Sequence, residues 1–113
     1  MSNYRAEKAV ERYLTDRVKN INGWAFKFTS PGMSGVPDRI ILRRGRVVFV
    51  EMKAPGAGLT KRQRIMHRCF AGLGFPVEVI RTRGEADDLI RRLEAADEVL
   101  PPRISDGSGG MDL

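Results

Sequence analysis

The chain has 113 residues, of which 42% are hydrophobic and 30% are charged, and its formal net charge is +6. This length is enough for one domain with a single core, while one cysteine and one histidine exclude a disulfide framework and a cysteine–histidine metal cluster. The positive charge favours a polyanion such as nucleic acid as a partner, and a basic domain without such a partner is the alternative.

The N-terminal third of the chain predicts a helix followed by a short strand. From Asn3 to about Asn20, apolar residues recur every three or four positions, which is typical of an amphipathic helix. In the following WAFKF segment, Trp24, Phe26 and Phe28 alternate as core residues do on one face of a strand. The loop TSPGMSGVP then carries glycines and prolines, which allow its backbone to approach a neighbouring group closely.

Two strands joined by a hairpin turn are predicted in the centre of the chain. The runs from Asp38 to Arg43 and from Arg46 to Lys53 are rich in Val, Ile and Phe, and Arg44-Gly45 lies between them. Arg44 is poorly suited to the positive φ of a two-residue primed turn. We therefore expect a wider, four-residue loop, which leaves the pairing of the two strands unchanged.

The pairing of these strands decides where their charged residues lie. The two-residue turn and the four-residue loop give the same register. In that register Asp38 lies opposite Glu51, and Lys53 follows two positions later on the same face. A three-residue loop with a bulge at Gly45 would instead place Asp38 opposite Val50. The favoured register predicts two carboxylates and an amine at the open end of the hairpin.

The second half of the chain predicts a helix, a strand and a last helix. A Thr-x-x-Gln capping box from Thr60 to Gln63 starts the first of these helices, and Gly74 ends it. The segment from Phe75 to Ile80 predicts a strand that is parallel to its neighbour, because a helical crossover connects the two. A second capping box, from Thr82 to Glu85, starts the last helix.

The predicted element order is α-β-β-β-α-β-α, which indicates a single α/β domain with a mixed central sheet flanked by helices. We expect this domain to occupy residues 1–100. Residues 101–113 are rich in Gly and Ser and have little to bury, so they predict a flexible tail.

The facing carboxylates indicate a divalent metal site. Two like charges at this distance repel each other unless a cation lies between them, and hard carboxylate oxygens suit Mg²⁺ or Mn²⁺. Such an ion would polarise a phosphate, and Lys53 would orient the attacking water or neutralise charge in the transition state. The alternative is that Asp38 is a turn residue and that Glu51 and Lys53 form a solvated pair.

The sequence resembles a known nuclease family over most of its length. Pro37-Asp38 followed by Glu51-Met52-Lys53 matches the PD…E-x-K signature of the PD-(D/E)XK nuclease superfamily. The surrounding KFTSPGMSGVPDRI, VVFVEMKAPG, LTKRQ and GFPVEVI are similar to the VRR-NUC family, the virus-type replication and repair nuclease module, from Glu7 to about Leu93. The resemblance implies a restriction-endonuclease-like αβββαβ core.

The resemblance also implies roles for individual residues of the hairpin and the helix that follows it. Metal ligands would be Asp38, Glu51 and the carbonyl of Met52. Lys53 would be the catalytic lysine. Gln63 would lie near the phosphate or the attacking water, although its place in the capping box is a competing local explanation.

The family uses a further glutamate of the N-terminal helix, for which Glu7 and Glu11 are the candidates. On a helical wheel Glu7 lies about 70° from the centre of the apolar stripe, and Glu11 lies about 110° from it. We therefore expect Glu7 to point inward and to join the catalytic and metal-binding residues. Glu11 remains the alternative, and either glutamate can be an ordinary solvated helix charge.

Basic and polar residues around this site predict contacts to a phosphate backbone. The candidates are Lys27, Ser34, Arg39, Lys61 and Arg62. Lys61 and Arg62 lie at the N-terminal end of the second helix, where phosphates bind well. Since the aromatic residues of the first strand alternate like core residues, we expect binding to duplex or branched DNA rather than stacking on single strands.

Two further residues receive no functional role from the sequence. His67 falls on the polar side of its helix, and Cys69 falls on the apolar side, which is typical of a small buried hydrophobe.

The resemblance implies a divalent-metal-dependent DNA endonuclease with no organic cofactor. The chain resembles stand-alone family members of similar length, which implies a homodimer that cuts four-way Holliday junctions. This is an activity of DNA repair and recombination. The alternative is a non-catalytic, basic DNA-binding or assembly module of a replication-repair complex.

The sequence predicts a cytoplasmic protein without a membrane partner. No apolar run approaches the roughly 18 residues that a membrane span requires. The N-terminal MSNYRAEK contains no apolar signal core, and a single cysteine suits a reducing compartment. If the source is a virus, we expect the host cell cytoplasm.

Overall fold

The computed structural model describes residues 2–97, and its elements follow the predicted order. The seven elements are α1 (Ser2–Asn20), β1 (Trp24–Lys27), β2 (Arg39–Arg43), β3 (Arg46–Met52), α2 (Lys61–Gly72), β4 (Val77–Ile80) and α3 (Arg83–Ala96). The predicted tail, residues 101–113, lies outside the described residues. Within the described part of the chain, no helix has both the length and the apolar character needed to span a bilayer.

A four-stranded sheet in the order β1-β2-β3-β4 forms the centre of the domain. The pairs β1/β2 and β2/β3 are antiparallel, whereas β3 and β4 are parallel. The parallel pair follows from the α2 crossover, which returns the chain to the end of the sheet where β3 began. The predicted α/β class, mixed sheet and parallel last strand are therefore confirmed.

The hydrophobic core lies on one face of this sheet, beneath α1 and α3. Its members are the buried apolar residues of these helices and of the inward-facing strand positions, namely Val10, Leu14, Val18, Ile41, Val50, Met52, Ile80, Ala86, Leu89, Ile90 and Leu93. Side chains alternate along a strand, so Val50 and Met52 in the core place Phe49 and Glu51 on the opposite face. That opposite face is the one that α2 partly covers.

The hairpin has the predicted register, but the expected wide loop is wrong. Arg43 pairs with Arg46, which leaves Arg44 and Gly45 as a two-residue turn with φ values of 50° and 79°. Positive φ at both central residues is characteristic of a type I′ turn, whose twist matches that of the flanking strands. The Arg44 side chain forms an ion pair with Asp97, 3.4 Å away at the end of α3.

The outward-facing aromatic residues of β1 are not core residues, contrary to the prediction. Trp24 is 68% exposed and Phe26 is exposed as well, whereas Ala25 between them packs against the core. The alternation was predicted correctly, but the core occupies the other face of the strand.

Cys69 is likewise exposed rather than buried, contrary to the prediction. Helix α2 rests on an incompletely covered sheet face and buries none of its residues fully.

Both helices that follow the hairpin begin at the predicted caps. Thr60 and Gln63 form a complete capping box, in which the Thr60 hydroxyl accepts from the Gln63 N–H and the Gln63 side chain accepts from the Thr60 N–H. Thr82 accepts from the Glu85 N–H in the same way. The Glu85 carboxylate accepts instead from the N–H of Arg81, at 2.6 Å, so the second box is only half formed.

The glycine-containing loop before β2 is held against the start of α2. Gly35 has a φ of 86°, and a Cβ at this position would lie 2.8 Å from the carbonyl oxygen of Arg62. Only glycine fits such an approach without strain. The Arg62 side chain also donates to the Ser34 hydroxyl at 3.0 Å. These contacts fix the segment that leads to Asp38 beside the first turn of α2.

Candidate active site

Asp38 and Glu51 face each other at the open end of the hairpin, on the sheet face that α2 covers. Arg39 pairs with Val50, so Asp38 and Glu51 form the next opposed pair beyond the end of β2. The Asp38 Oδ1 atom accepts a hydrogen bond from the Met52 N–H at 3.1 Å. The predicted meeting of the two carboxylates is therefore present in the fold.

Burial disfavours the ionised form of both carboxyl groups. Burial raises the pKa of Asp38 to about 6. Burial, followed by the negative charge of Asp38, raises the pKa of Glu51 to about 7. Near neutral pH the pair therefore retains part of a proton, and a cation that replaces this proton would be stabilised.

The donor set of this site fits Mg²⁺ or Mn²⁺. Oε1 of Glu51 is buried and has no hydrogen-bond partner among the described residues, so its lone pairs remain available. The Met52 N–H points to Asp38, and the carbonyl of an extended residue points to the same side as its N–H. Residues 2–97 contain no group of three or more His, Cys, Asp and Glu side chains arranged around one ion. Mg²⁺ is commonly held by one or two carboxylates, with waters and substrate phosphates completing its shell.

Glu7 of helix α1, rather than Glu11, acts electrostatically on the two carboxylates. The negative charge of Glu7 adds to burial in raising the pKa of both Asp38 and Glu51. Glu11 is instead ion-paired with Arg39, and its carboxylate lies 3.3 Å from the Lys8 ammonium. Glu7 therefore acts on the charge of the two carboxylates, whereas Glu11 is engaged by Arg39 and Lys8.

Lys53 lies among the ionisable groups of the site. Its positive charge lowers the pKa of Asp38, Glu51 and His67, although burial has the largest effect on each of these groups. The Lys53 N–H donates to the Ile80 carbonyl at 3.1 Å, which fixes the residue just beyond the end of β3. An ammonium in this place can neutralise charge that develops on a bound phosphate.

Helix α2 contributes Gln63 and one residue that the sequence analysis missed. Gln63 Nε2 donates to Oε2 of Glu51 at 3.0 Å, while Oε1 of the same amide accepts from the Thr60 N–H and completes the helix cap. The capping explanation is therefore confirmed, and the amide also contacts the candidate site. His67 is not on a solvated side: its side chain is 11% exposed, and Nε2 lies 4.0 Å from Oε1 of Glu51. Burial, together with Lys53, lowers the pKa of His67. The available signal was the four-residue spacing of Gln63 and His67, which places both on one helix face.

Arg39, predicted as a DNA contact, is directed into the protein. It is 9% exposed, is ion-paired with Glu11, and donates to the Asp38 carbonyl at 2.8 Å. Its charge is therefore engaged by Glu11 and is not presented to a ligand at the surface.

The other predicted contacts lie at the surface beside the site. Lys27, Ser34, Lys61 and Arg62 are all exposed. Lys27 ends β1 next to the strand that leads from Asp38, and the other three lie where the glycine-containing loop meets α2.

Comparison with known proteins places this fold and sequence among nucleases. No family model matches the chain. Over 75 residues the chain is 44% identical to "Putative nuclease p44" of Acyrthosiphon pisum secondary endosymbiont phage 1, a match that covers 66% of this chain and 81% of that protein. A solved structure described as a VRR_NUC domain superposes with a TM-score of 0.70 and is 31% identical, with coverage of 76% of this chain and 95% of its own.

Sequence and structure comparison thus agree with each other and with the local geometry. The relative and the solved domain are both matched over most of their length at more than 30% identity. The Asp, Glu and Lys of the PD…E-x-K signature, Asp38, Glu51 and Lys53, meet at one end of the sheet. The chain therefore belongs to the VRR-NUC family of the PD-(D/E)XK nuclease superfamily.

Proposed function

We propose that this protein is a divalent-metal-dependent endonuclease that hydrolyses phosphodiester bonds in structured DNA. The observation that carries the proposal is the facing pair of Asp38 and Glu51, whose pKa values are raised to about 6 and about 7, beside Lys53. Two ionised carboxylates in a partly buried site destabilise the protein unless a cation balances them. A domain that keeps such a pair in a nuclease fold is suited to bind a divalent ion.

Each residue of the site has a distinct task in this proposal. Asp38, Glu51 and the Met52 carbonyl would hold Mg²⁺ or Mn²⁺, and Glu7 would add negative charge from α1. A bound ion of this kind polarises a phosphate and acidifies a water for attack. Lys53 neutralises the charge that builds on the phosphate oxygens in the transition state.

The surface beside the site suits a phosphate backbone. Lys61 and Arg62 are exposed on the first turn of α2, where the unpaired N–H groups and the positive end of the helix dipole also favour anions. Lys27 is exposed at the end of β1. Contacts of this type neutralise phosphates with little preference for base sequence, so a shape such as a branch would select the substrate.

Cleavage of labelled four-way junction, flap, linear duplex and single-stranded DNA, in Mg²⁺, Mn²⁺ or EDTA, tests this function. We expect wild-type protein to cut branched DNA only in the presence of metal. Lys53→Ala should cut at least about 100-fold more slowly, because a charge aimed at the transition state is lost. Arg91→Ala removes a positive charge from an exposed position on α3, where Arg91 is paired with Asp88, and should cut normally.

Cutting in EDTA, or full activity of Lys53→Ala, would remove the proposed mechanism. Metal-independent DNA binding without any cleavage would indicate instead a non-catalytic DNA-binding module.

The proposal includes a homodimer formed through an apolar surface next to the site. This apolar sheet face consists of large hydrophobic side chains that are 38% to 78% exposed, namely Trp24, Phe26, Leu42, Val47, Leu73 and Phe75. Trp24 pairs with Leu42, and Leu42 pairs with Val47, so these strand residues share one side of the sheet. Single exposed apolar residues are common, but a contiguous group of this size marks an interaction surface.

The size and position of this face suit a second copy of the chain. Side chains of roughly 150–250 Å² with these exposed fractions leave about 600 Å² of apolar surface, near the roughly 800 Å² that one partner contributes to a standard interface. Val47, Phe49, Phe70, Leu73 and Phe75 line a cavity of about 180 Å³ that a partner side chain can fill. The same side of β3 leads directly to Glu51. Two copies joined here would present two sites to one branched substrate.

Leu73→Glu is expected to convert the dimer to a monomer. Leu73 is the most exposed residue of this apolar sheet face, at 78%, and a carboxylate placed there would have to be desolvated in the interface. We expect the dimer dissociation constant to rise by at least about 100-fold. Size-exclusion chromatography with light scattering distinguishes the 12.7 kDa monomer from a dimer. Arg91→Glu, on α3, should stay dimeric, and a wild-type protein that is monomeric at micromolar concentration would contradict the proposal.

A further inference from the structure

Two buried polar atoms face each other in the candidate active site, and neither has a hydrogen-bond partner within residues 2–97. They are Nε2 of His67 and Oε1 of Glu51, 4.0 Å apart, on side chains that are 11% and 6% exposed. Folded proteins satisfy nearly all such atoms, because a buried donor or acceptor without a partner loses its hydrogen bonds to water. A pair of unsatisfied atoms that point at one gap therefore indicates that something polar belongs between them.

The length of the gap selects a water molecule. A direct hydrogen bond would require the two atoms to approach within about 3.2 Å. A metal ion bonded to both at about 2.1 Å would need an N–metal–O angle near 145°, far from the angles of about 90° to 110° in octahedral or tetrahedral sites. A water about 2.8 Å from each atom needs an angle near 90° at its oxygen, which ordinary bridging waters can adopt.

We propose that His67 is a positioning residue that holds Oε1 of Glu51 through one bridging water, while Gln63 holds Oε2. The Nε2–H of the imidazole donates to the water, and the water donates to the carboxylate oxygen. Gln63 and His67 lie on consecutive turns of α2, so one rigid element fixes both oxygens. A carboxylate oxygen has two lone pairs, so the water occupies one and leaves the other for a cation.

The consequence for metal binding rests on the proposed function, in which Glu51 is a metal ligand. Groups that orient a ligand in this way contribute to affinity without touching the metal themselves. The loss of His67 should therefore weaken metal binding even in the absence of DNA. Because Glu51 would remain in place, the loss should be partial.

Calorimetric titration of the DNA-free protein with Mn²⁺ tests this role. His67→Leu keeps an apolar side chain in the space but removes the donor, and we expect the Mn²⁺ dissociation constant to rise about tenfold. His67→Gln places an amide N–H near the lost Nε2 and should stay within about threefold of wild type. Cys69→Ser, two positions along the same helix, is exposed and should bind as wild type does. Circular dichroism melts of the four proteins establish that each is folded.

The possible results separate this role from the proposed function. Wild-type affinity in His67→Leu overturns the inference and leaves the metal site intact. Equal weakening in the Leu and Gln variants means that the residue acts only by packing, which also overturns it. If wild-type protein binds no Mn²⁺, the proposed function is lost, and an atomic-resolution crystal structure then decides the inference. A water within about 3.2 Å of both atoms supports the bridge, whereas a dry gap or a direct bond overturns it.

Discussion

Replacing Glu51 with Gln is expected to reduce cleavage by about a thousandfold or more while making the metal-free protein more stable at pH 8. The amide keeps nearly the same shape and can still accept the hydrogen bond that Gln63 donates at 3.0 Å. It carries no charge, however, and so cannot balance a divalent ion. The same change therefore removes the proposed catalytic ligand and a charge that the fold disfavours.

The sign of the stability effect follows from the direction of the pKa shift. In the folded protein burial raises the pKa of Glu51 from 4.5 to about 7, so folding favours its protonated form. This contribution to stability is complete below the unfolded-state pKa and is lost as the pH rises through the folded-state value. At pH 8 the ionised carboxylate destabilises the metal-free protein by on the order of 2 kcal/mol relative to a neutral amide. An increase in melting temperature of about 5 to 10 °C is expected for a domain of this size.

Thermal unfolding in EDTA, measured at pH 8 and at pH 4, checks this prediction beside the cleavage assay. The difference in melting temperature should shrink toward zero at pH 4, where wild-type Glu51 is protonated in the folded state. Glu94→Gln on α3 is the matched control, since this side chain is exposed and should change neither property. A Glu51→Gln protein that melts below wild type at pH 8 would show that the ionised carboxylate stabilises the fold. A functional role is the simplest reason to retain a charge that destabilises.

The centre of this fold could be predicted from the sequence because its signals are local. The turn between Arg43 and Arg46 fixes the register of the hairpin, and side-chain alternation then decides which residues share a face. Those two rules alone bring Asp38 to Glu51. The capping box likewise fixed the start of α2, and this start determines that Gln63 reaches the sheet.

The errors arise where distant packing decides the outcome. The alternation of Trp24 and Phe26 shows that they share a face, but it does not tell which face the helices cover. His67 is polar, so a helical wheel assigns it to solvent, although a polar residue can also face another buried polar group. Arg44, in the tight turn, forms an ion pair with Asp97, which is remote in sequence. Such effects are tertiary, and for His67 the only local signal is the four-residue spacing that places it on the same helix face as Gln63.

The Mn²⁺ affinity of the wild-type protein is expected to rise about 20-fold between pH 6 and pH 8. Binding requires both carboxylates to be ionised, and the pKa values of Asp38 and Glu51 are raised to about 6 and about 7. Treated as independent groups, they are both ionised in about one molecule in twenty at pH 6 and in about nine in ten at pH 8. Protons therefore compete with the metal, and affinity increases as the pH rises.

Calorimetry in buffers of different ionisation enthalpy measures this competition directly. At pH 6, metal binding should release between one and two protons, and at pH 8 it should release almost none. A chelator titrated in the same buffers controls for changes in free Mn²⁺. Burial raises the pKa values of Asp38 and Glu51, and the positive charge of Lys53 lowers them. The two effects together set the pH range over which protons compete with the metal. An affinity that is constant from pH 6 to pH 8, without proton release, would mean that the pair is already fully ionised before metal binds. Lys53, rather than burial, would then control the charge of the site.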